Sequence, residues 1–327
     1  MLSRNIFNVQ SCPEIIMPDT EKANFKPRFV ERFSKLTDWE LFRKYSTTYQ
    51  KRSIRVNTLK IPVGELKERL KENWTLTQIP WCKEGFWIEH SHTDRRDVGN
   101  LIEHSLGYIY IQESASMIPP IVLEPKENEF ILDMCASPGS KSSQIAQYMQ
   151  NTGILVSNDY KGDRLAALGI NMQRMGITNN LITLMQGTQF NGFQFDKILV
   201  DAPCSGTGTI RKSFKTIEIW NPTMISRLAI QQKRLIEAGF NNLRKGGIMV
   251  YSTCSCEPEE NEGVIDFILG KYDNAELLDV ELPMKRSNPV LEFDGTAYNP
   301  SIKKCVRIWP QDNNTDGFFI AKIRKNN

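Results

Sequence analysis

The chain has 327 residues, with 41 basic and 38 acidic side chains and a net charge of +3 at neutral pH. Hydrophobic residues make up 40% and charged residues 24%, which excludes a disordered or collagen-like chain and predicts a globular protein of about two domains. No apolar run reaches the roughly eighteen residues of a membrane span, and Met1–Gln10 has no apolar run before a cleavage site, so a soluble cytoplasmic protein is expected.

Residues 1–20 lack periodicity and read as an irregular lead-in. Residues 26–50 alternate apolar and charged residues at helical spacing, and Ser53–Leu59 alternates like a strand. Val63–Trp74 reads as a helix, and Gly85–Glu89 and Gly107–Ile111 as short strands. A boundary is natural near Pro119-Pro120 or Pro125-Lys126. Strand–helix alternation, the pattern of a parallel sheet with crossover helices, then begins. Phe130–Asp133, Gly153–Ser157, Leu181–Leu184, Phe195–Val200 and Ile248–Tyr251 are the predicted strands. Helices are expected at 141–148, 162–175 and from Pro222, where Asn221 is the N-cap and Gly246-Gly247 the stop. Another helix covers Val264–Leu269. Val306–Ile308 and Phe318–Ile323 follow with no helix between them, and predict an antiparallel sheet edge.

Seven cysteines (Cys12, Cys82, Cys135, Cys204, Cys254, Cys256 and Cys305) include no CxxC pair, and His90, His92 and His104 are the only histidines. Neither set has zinc-site spacing, so no metal is expected. Between Lys26 and Lys60 ten basic side chains face three acidic ones, a local +7. That stretch either binds phosphates or is the solvated face of a helix.

Ligands of such a sheet bind beyond the carboxyl ends of its strands, so the loops after Asp133, Asp159, Leu184, Asp201 and Ser252 share one rim. Asp133–Lys141 (DMCASPGSK) is a loop of small residues leading into a helix. It lacks the three glycines of a dinucleotide loop and the spacing of a P-loop, and alone it is an ordinary strand-to-helix turn. Asp159 sharpens the reading, because an acidic residue at the second strand end typically accepts the hydroxyls of a ribose. A nucleoside cofactor without phosphates fits both loops, and S-adenosylmethionine is such a molecule. Arg164 either braces that ribose contact or is a surface residue.

A lone cysteine at a strand end is usually an inert core residue. Cys204 and Cys254 on adjacent rim loops, with Asp201 beside one of them, suit covalent catalysis better. Carbon 5 of cytosine takes a methyl group only after a thiolate adds to carbon 6 while nitrogen 3 is protonated. One nucleophile, one acid and one base are needed, and two cysteines with an aspartate provide them.

Taken together, DMCASPGSK (133–141), DAPCSGTG (201–208) and YSTCSCEPEENE (251–262) resemble the RNA 5-methylcytosine methyltransferases of the Nop2/Sun and bacterial Fmu type. IQESASM (111–117), Pro119-Pro120 and Asp316–Phe319 are similar to that family as well, and the likeness runs from about Arg55 to Ile323. It is greatest to archaeal tRNA cytosine-5 methyltransferases. The resemblance implies a Rossmann-like, seven-stranded class I methyltransferase sheet preceded by a small α/β RNA-recognition-like domain. Residues 1–25 would be an N-terminal arm, 26–118 the RNA-binding module and 119–327 the catalytic domain.

The same likeness implies Cys254 as nucleophile, Cys204 for proton removal and release, and Asp201 for holding nitrogen 3 protonated or meeting the cofactor's methionine end. Cys135, Ala136, Ser137, Pro138, Gly139, Ser140 and Lys141 would wrap S-adenosylmethionine, with Asp159 on the ribose and Arg164 assisting. Lys141 would also lie near the reacting groups and lower a thiol pKa. The family's aspartate after the third strand is replaced by Gln186, whose amide oxygen can still accept a hydrogen bond. Cys256 reads as structural. Arg55 and Asn57, in the module's opening strand, and Arg211 and Lys212, after the Cys204 loop, are the expected RNA contacts; Trp81 and Trp87 either stack on a base or belong to the core. The expectation is a monomer acting on tRNA, with ribosomal RNA or a non-catalytic RNA-binding or assembly role as alternatives. A DNA methyltransferase would instead use Cys204 as nucleophile.

Overall fold

A computed structural model describes Met17, Thr20 and residues 23–327; most of the expected arm, with Cys12, lies outside the described residues. The first helical stretch is two helices, Pro27–Leu36 and Trp39–Ser46, because Asp38 caps the second by accepting from the Leu41 N–H at 3.1 Å. Their apolar face (Phe29, Phe33, Phe42) packs against Trp220 and Trp309 of the catalytic part.

The small domain is an antiparallel sheet of β1 (Ser53–Val56), β2 (Trp74–Gln78), β3 (Gly85–His90) and β4 (Ile109–Ile111), ordered β2-β3-β1-β4. Here the expectation of a helix to Trp74 fails. The helix stops at Leu70, and Trp74 opens β2, burying its ring with Ile54, Leu66 and Ile88. Trp-Thr-Leu-Thr alternates as a strand does, and the tertiary contact overrides the helical spacing before it.

The larger sheet begins with β5 (Phe130–Asp133), β6 (Ile154–Asp159), β7 (Asn180–Leu184), β8 (Phe195–Asp201), β9 (Leu243–Thr253) and β10 (Ala275–Leu278). After a small hairpin of β11 (Glu292–Phe293) and β12 (Thr296–Ala297) come β13 (Val306–Ile308) and β14 (Phe318–Lys325). Seven strands run in the order β10-β14-β9-β8-β5-β6-β7, and β13 adds an eighth beside β14. The five strands from β7 to β9 are parallel, as the alternation predicts. β13 and β14 do pair antiparallel, but the turn Pro310–Asn313 between them is helical, and β14 is internal, lying between β9 and β10.

Asn221 caps the long helix Pro222–Asn242 by accepting from the Met224 N–H at 2.9 Å. Gly246-Gly247 does not end it. The helix stops at Asn242 and both glycines lie within β9. A Cβ at Gly247 would come within 2.9 Å of the Asp196 and Arg244 carbonyls, so this glycine permits the close approach of β8. Among the described residues, no helix is long and apolar enough to cross a membrane.

Candidate active site

The loops after β5, β6, β7, β8 and β9 converge on one rim. Asn158 holds three of them: its side chain donates to the Met134 and Met185 carbonyls at 3.1 and 2.9 Å and accepts from Thr183 Oγ1 at 2.9 Å. The Asp133–Lys141 loop turns back on itself through the Gly139 N–H to the Ala136 carbonyl at 2.7 Å, and the Ala136 N–H ties it to β6 by donating to the Asn158 carbonyl at 2.7 Å. Gly139 adopts φ +100°, a conformation that excludes most side chains, and hands the chain to the helix Ser140–Tyr148.

Asp159 is fully buried at the end of β6. Its Oδ1 accepts from the Lys161 N–H, while Oδ2 has no hydrogen-bond donor and lies 3.3 Å from Arg164 Nη1. Arg164 also donates to the Ser137 carbonyl at 2.8 Å, and Ser137 Oγ donates back to the Arg164 carbonyl. Sequence leaves Arg164 between brace and bystander; the geometry ties it to both Asp159 and the 133–141 loop. A buried carboxylate oxygen without a donor, beside a glycine-turned loop, fits a ligand that brings hydroxyl groups, so the residues fit the ribose of a nucleoside cofactor. Gln186 is exposed at the β7 end, on the same rim.

At the centre, Cys204 Sγ and Cys254 Sγ are 3.3 Å apart. Lys141 Nζ donates to Asp201 Oδ2 at 2.7 Å, and Ser252 Oγ to Asp201 Oδ1 at 2.8 Å, which fixes the carboxylate beside the thiols' loops. The Cys204 thiol is held well above its ordinary pKa, first by its hydrogen bond to Cys254 and then by burial. Burial likewise pushes up the thiols of Cys135, Cys256 and Cys305, and that of Cys82 to about 12. Cys256 is packed among Phe29, Phe33 and Trp309, in agreement with a structural role.

One organising residue is missed by the sequence reading. Glu260, buried, accepts from the Ser205 N–H at 2.9 Å, Gln232 Nε2 at 2.8 Å and Ser255 Oγ at 2.8 Å, so one carboxylate ties the residues following both cysteines. Its signal was the acidic run after Cys256, which reads as a solvated helix start. Asn261 adds a second tie, accepting from Thr253 Oγ1 at 2.6 Å and donating to the Ser255 carbonyl.

Three of the four expected RNA contacts are corrected. Arg55 is fully buried, donating to Gln112, Gln147, Ser143 and the Ser140 carbonyl, and Asn57 is fully buried, donating to the Gly107 and Met175 carbonyls. Both join the small domain to the catalytic one. Arg211 is buried against Asn314 and Asp316. Lys212 alone is exposed, paired with Asp316. Trp81 and Trp87 are buried and pack edge to face, with Trp81 Nε1 donating to the Ser114 carbonyl, so both belong to the core. Among the described residues, no cluster of three histidine, cysteine or acidic side chains could hold a metal.

Comparison with known proteins gives the family of this chain. Residues 120–324 match the family model of the 16S rRNA methyltransferase RsmB/F, and residues 25–114 that of the N-terminal domain of 16S rRNA methyltransferase RsmF. The tRNA (cytosine(49)-C(5))-methyltransferase of Pyrococcus abyssi is 48% identical over 93% of this chain and 98% of its own. The ribosomal RNA small subunit methyltransferase F of Shewanella oneidensis is 38% identical over 84% of this chain, which spans only 57% of that protein. Among solved structures, a methyltransferase homolog protein from Pyrococcus horikoshii covers 95% of this chain and 100% of its own at 36% identity (TM-score 0.80), and NSun6 from the same organism, solved with SFG, covers 93% and 99% at 26% (TM-score 0.80).

Proposed function

The chain belongs to the 16S rRNA methyltransferase RsmB/F family, and from that premise we propose that it transfers a methyl group from S-adenosylmethionine to carbon 5 of a cytosine in RNA, with tRNA as substrate. The carrying observation is the 3.3 Å approach of Cys204 and Cys254 beside the Lys141–Asp201 ion pair. The cofactor supplies an electrophilic methyl group. Asp159 and Arg164 hold its ribose, and residues 135–141 wrap it.

In this reading Cys254 Sγ bonds to carbon 6 as its thiol proton passes by way of the Asp201 carboxylate to nitrogen 3, so the ring's electrons reach carbon 5. The Cys204 thiol keeps its proton at this stage, because its contact with the neighbouring sulfur and its burial oppose ionisation. Once Cys254 is a thioether, the leading cause of the raised Cys204 pKa weakens; Cys204 then gives up its thiol proton to solvent, and the resulting thiolate takes the carbon-5 proton after methylation. Breaking the carbon–sulfur bond, with loss of the nitrogen-3 proton, restores aromaticity and frees Cys254. The small domain, residues 26–118, is the RNA-binding module, and the enzyme works as a monomer in the cytoplasm.

The choice of tRNA rests on the near end-to-end match to the Pyrococcus abyssi enzyme. The family model's description favours ribosomal RNA as the second reading. Incubating the protein with S-adenosylmethionine and RNA tritiated at carbon 5 of cytosine tests both. Tritium should be released from tRNA and not from 16S rRNA; methylation without tritium release would overturn the carbon-5 chemistry.

A further inference from the structure

The ten cations between Lys26 and Lys60 do not act together. Lys26 donates to the Glu218 and Trp220 carbonyls, Arg32 pairs with Glu257 and Glu259, Lys35 with Glu31, and Arg43 with Glu40. Arg55 is buried, and Lys60 donates to the Leu106 and Arg174 carbonyls. Lys51 and Arg52, just before β1, are different. No hydrogen bond or ion pair among the described residues holds the exposed Arg52 side chain, and Lys51 only overhangs the Trp87 ring at 5.6 Å.

Because β1 and β3 are antiparallel, the start of β1 lies beside the end of β3 and the loop after it. That loop brings His90, Arg95 and Arg96 to Lys51 and Arg52 around a cavity of about 210 Å³, closed on the far side by Asn314. Glu89 and Asp94 are the acidic side chains on its lining, and Asp97 pairs with Arg95 at 2.5 Å from just outside it, so four permanent cations meet three carboxylates. Arg96 lies 4.3 Å over the Tyr49 ring and donates to the Gln50 carbonyl at 2.7 Å, which fixes the cavity wall. A concave site with excess guanidinium and ammonium groups and an aromatic floor matches a phosphodiester backbone with its bases.

The cavity wall continues to the nucleophile. Asn314 accepts from Arg211 Nη1 at 2.9 Å, the Gly317 N–H donates to the Gly208 carbonyl at 2.9 Å, and the Gly208 N–H donates to the Cys254 carbonyl at 2.9 Å. Gly208 and Gly317 are in contact, since a Cβ at Gly208 would sit 2.3 Å from the Gly317 carbonyl oxygen. We propose that the groove between Lys51-Arg52 and His90–Arg96 seats phosphates of the RNA strand flanking the target cytosine. This rests on RNA being the substrate and replaces Arg55, Asn57 and Arg211 as contacts.

The test measures binding of fluorescent tRNA by anisotropy over a salt series, with S-adenosylhomocysteine present, for wild type, Lys51→Ala/Arg52→Ala and a control pair, Lys35→Ala/Lys71→Ala. Both control lysines are exposed and away from the groove. The groove variant should bind at least tenfold more weakly at moderate salt. Its slope of log K against log salt should fall by about 1.4–1.8, the release expected for two phosphate contacts. Affinity for S-adenosylhomocysteine should stay at the wild-type value, and the control should match wild type. A groove variant with wild-type affinity and slope overturns this proposal alone. Wild-type protein that neither binds nor methylates RNA overturns the proposed function with it.

Discussion

Cys204 and Cys254, on the loops after two neighbouring parallel strands, bring their sulfurs to 3.3 Å, and the Cys204 thiol is held well above its ordinary pKa by that contact and by burial. The proposed reaction gives these two adjacent thiols unequal roles. Cys254→Ala should abolish methylation while leaving cofactor binding and the melting temperature nearly unchanged. Cys204→Ala should slow turnover by about 10²–10⁴-fold, the usual loss on removing a positioned base, and should accumulate a covalent RNA adduct. A denaturing gel reads the adduct directly. If Cys254→Ala were the variant that trapped RNA, the roles would be reversed.

Glu260 links the two cysteine loops, since it accepts hydrogen bonds from the residues that follow both sulfurs. Glu260→Ala leaves the buried Ser205 N–H without its acceptor, at about 1–3 kcal/mol, and removes one of the two or more partners of Gln232 Nε2 and Ser255 Oγ, which keep the Pro203 carbonyl and Ser205 Oγ. Thermal unfolding should shift down accordingly. In whatever fraction remains folded, adduct formation by a Cys204→Ala/Glu260→Ala double variant should be slower than in Cys204→Ala alone. Glu260→Gln keeps an acceptor for Ser205 or Ser255 and should recover part of the adduct rate.

Asp133, at the end of β5, is buried and accepts from Ser142 Oγ, but its Oδ1 has no donor. Burial raises its carboxyl to about 7. The folded state thus favours the protonated form. The associated stability is fully present below the unfolded pKa near 4 and is lost as pH rises through about 7, a change on the order of a few kcal/mol. Glu257, also raised to about 7 by burial, contributes with the same sign. Asp133→Asn removes its share. The melting temperature of wild type relative to the variant should be highest below about pH 4, should fall between about pH 4 and 7, and should level off above pH 7; curves that stay parallel across that window would refute the assignment.

How much of this was legible depends on how local the signal was. The parallel strands and the rim show in sequence because each strand is a short apolar run ended by a polar residue such as Asp133, Asp159 or Asp201, and the topology then forces those ends together. The cysteine loops were legible for the same reason. Partners that arrive from distant sequence were not. Glu260 reads as one acid in an exposed run until Ser205, 55 residues earlier, is seen to need it. Gly246-Gly247 reads as a helix stop because a strand that must admit its neighbour closely uses the same residue. Arg55 reads as a nucleic-acid contact because charge normally faces solvent.

Arg55 is the sharpest case, and its burial leads to a different experiment. Among the described residues its guanidinium has no carboxylate partner; it donates to Gln112 Oε1 at 2.8 Å and Ser143 Oγ at 2.8 Å, to Gln147, and to the Ser140 carbonyl at 3.4 Å, while burial lowers its pKa. Ser140 and Ser143 lie in the first turn of the helix that leaves the Asp133–Lys141 loop, the proposed cofactor loop. Arg55→Met should therefore strand several buried acceptors, costing a few kcal/mol and roughly 5–10 °C in melting temperature. Cofactor affinity should weaken as the helix start loosens. The salt slope of tRNA binding, measured well below the melting transition, should remain that of wild type, because no phosphate reaches this side chain. A slope reduced by about 1 would return Arg55 to the RNA surface, against its burial.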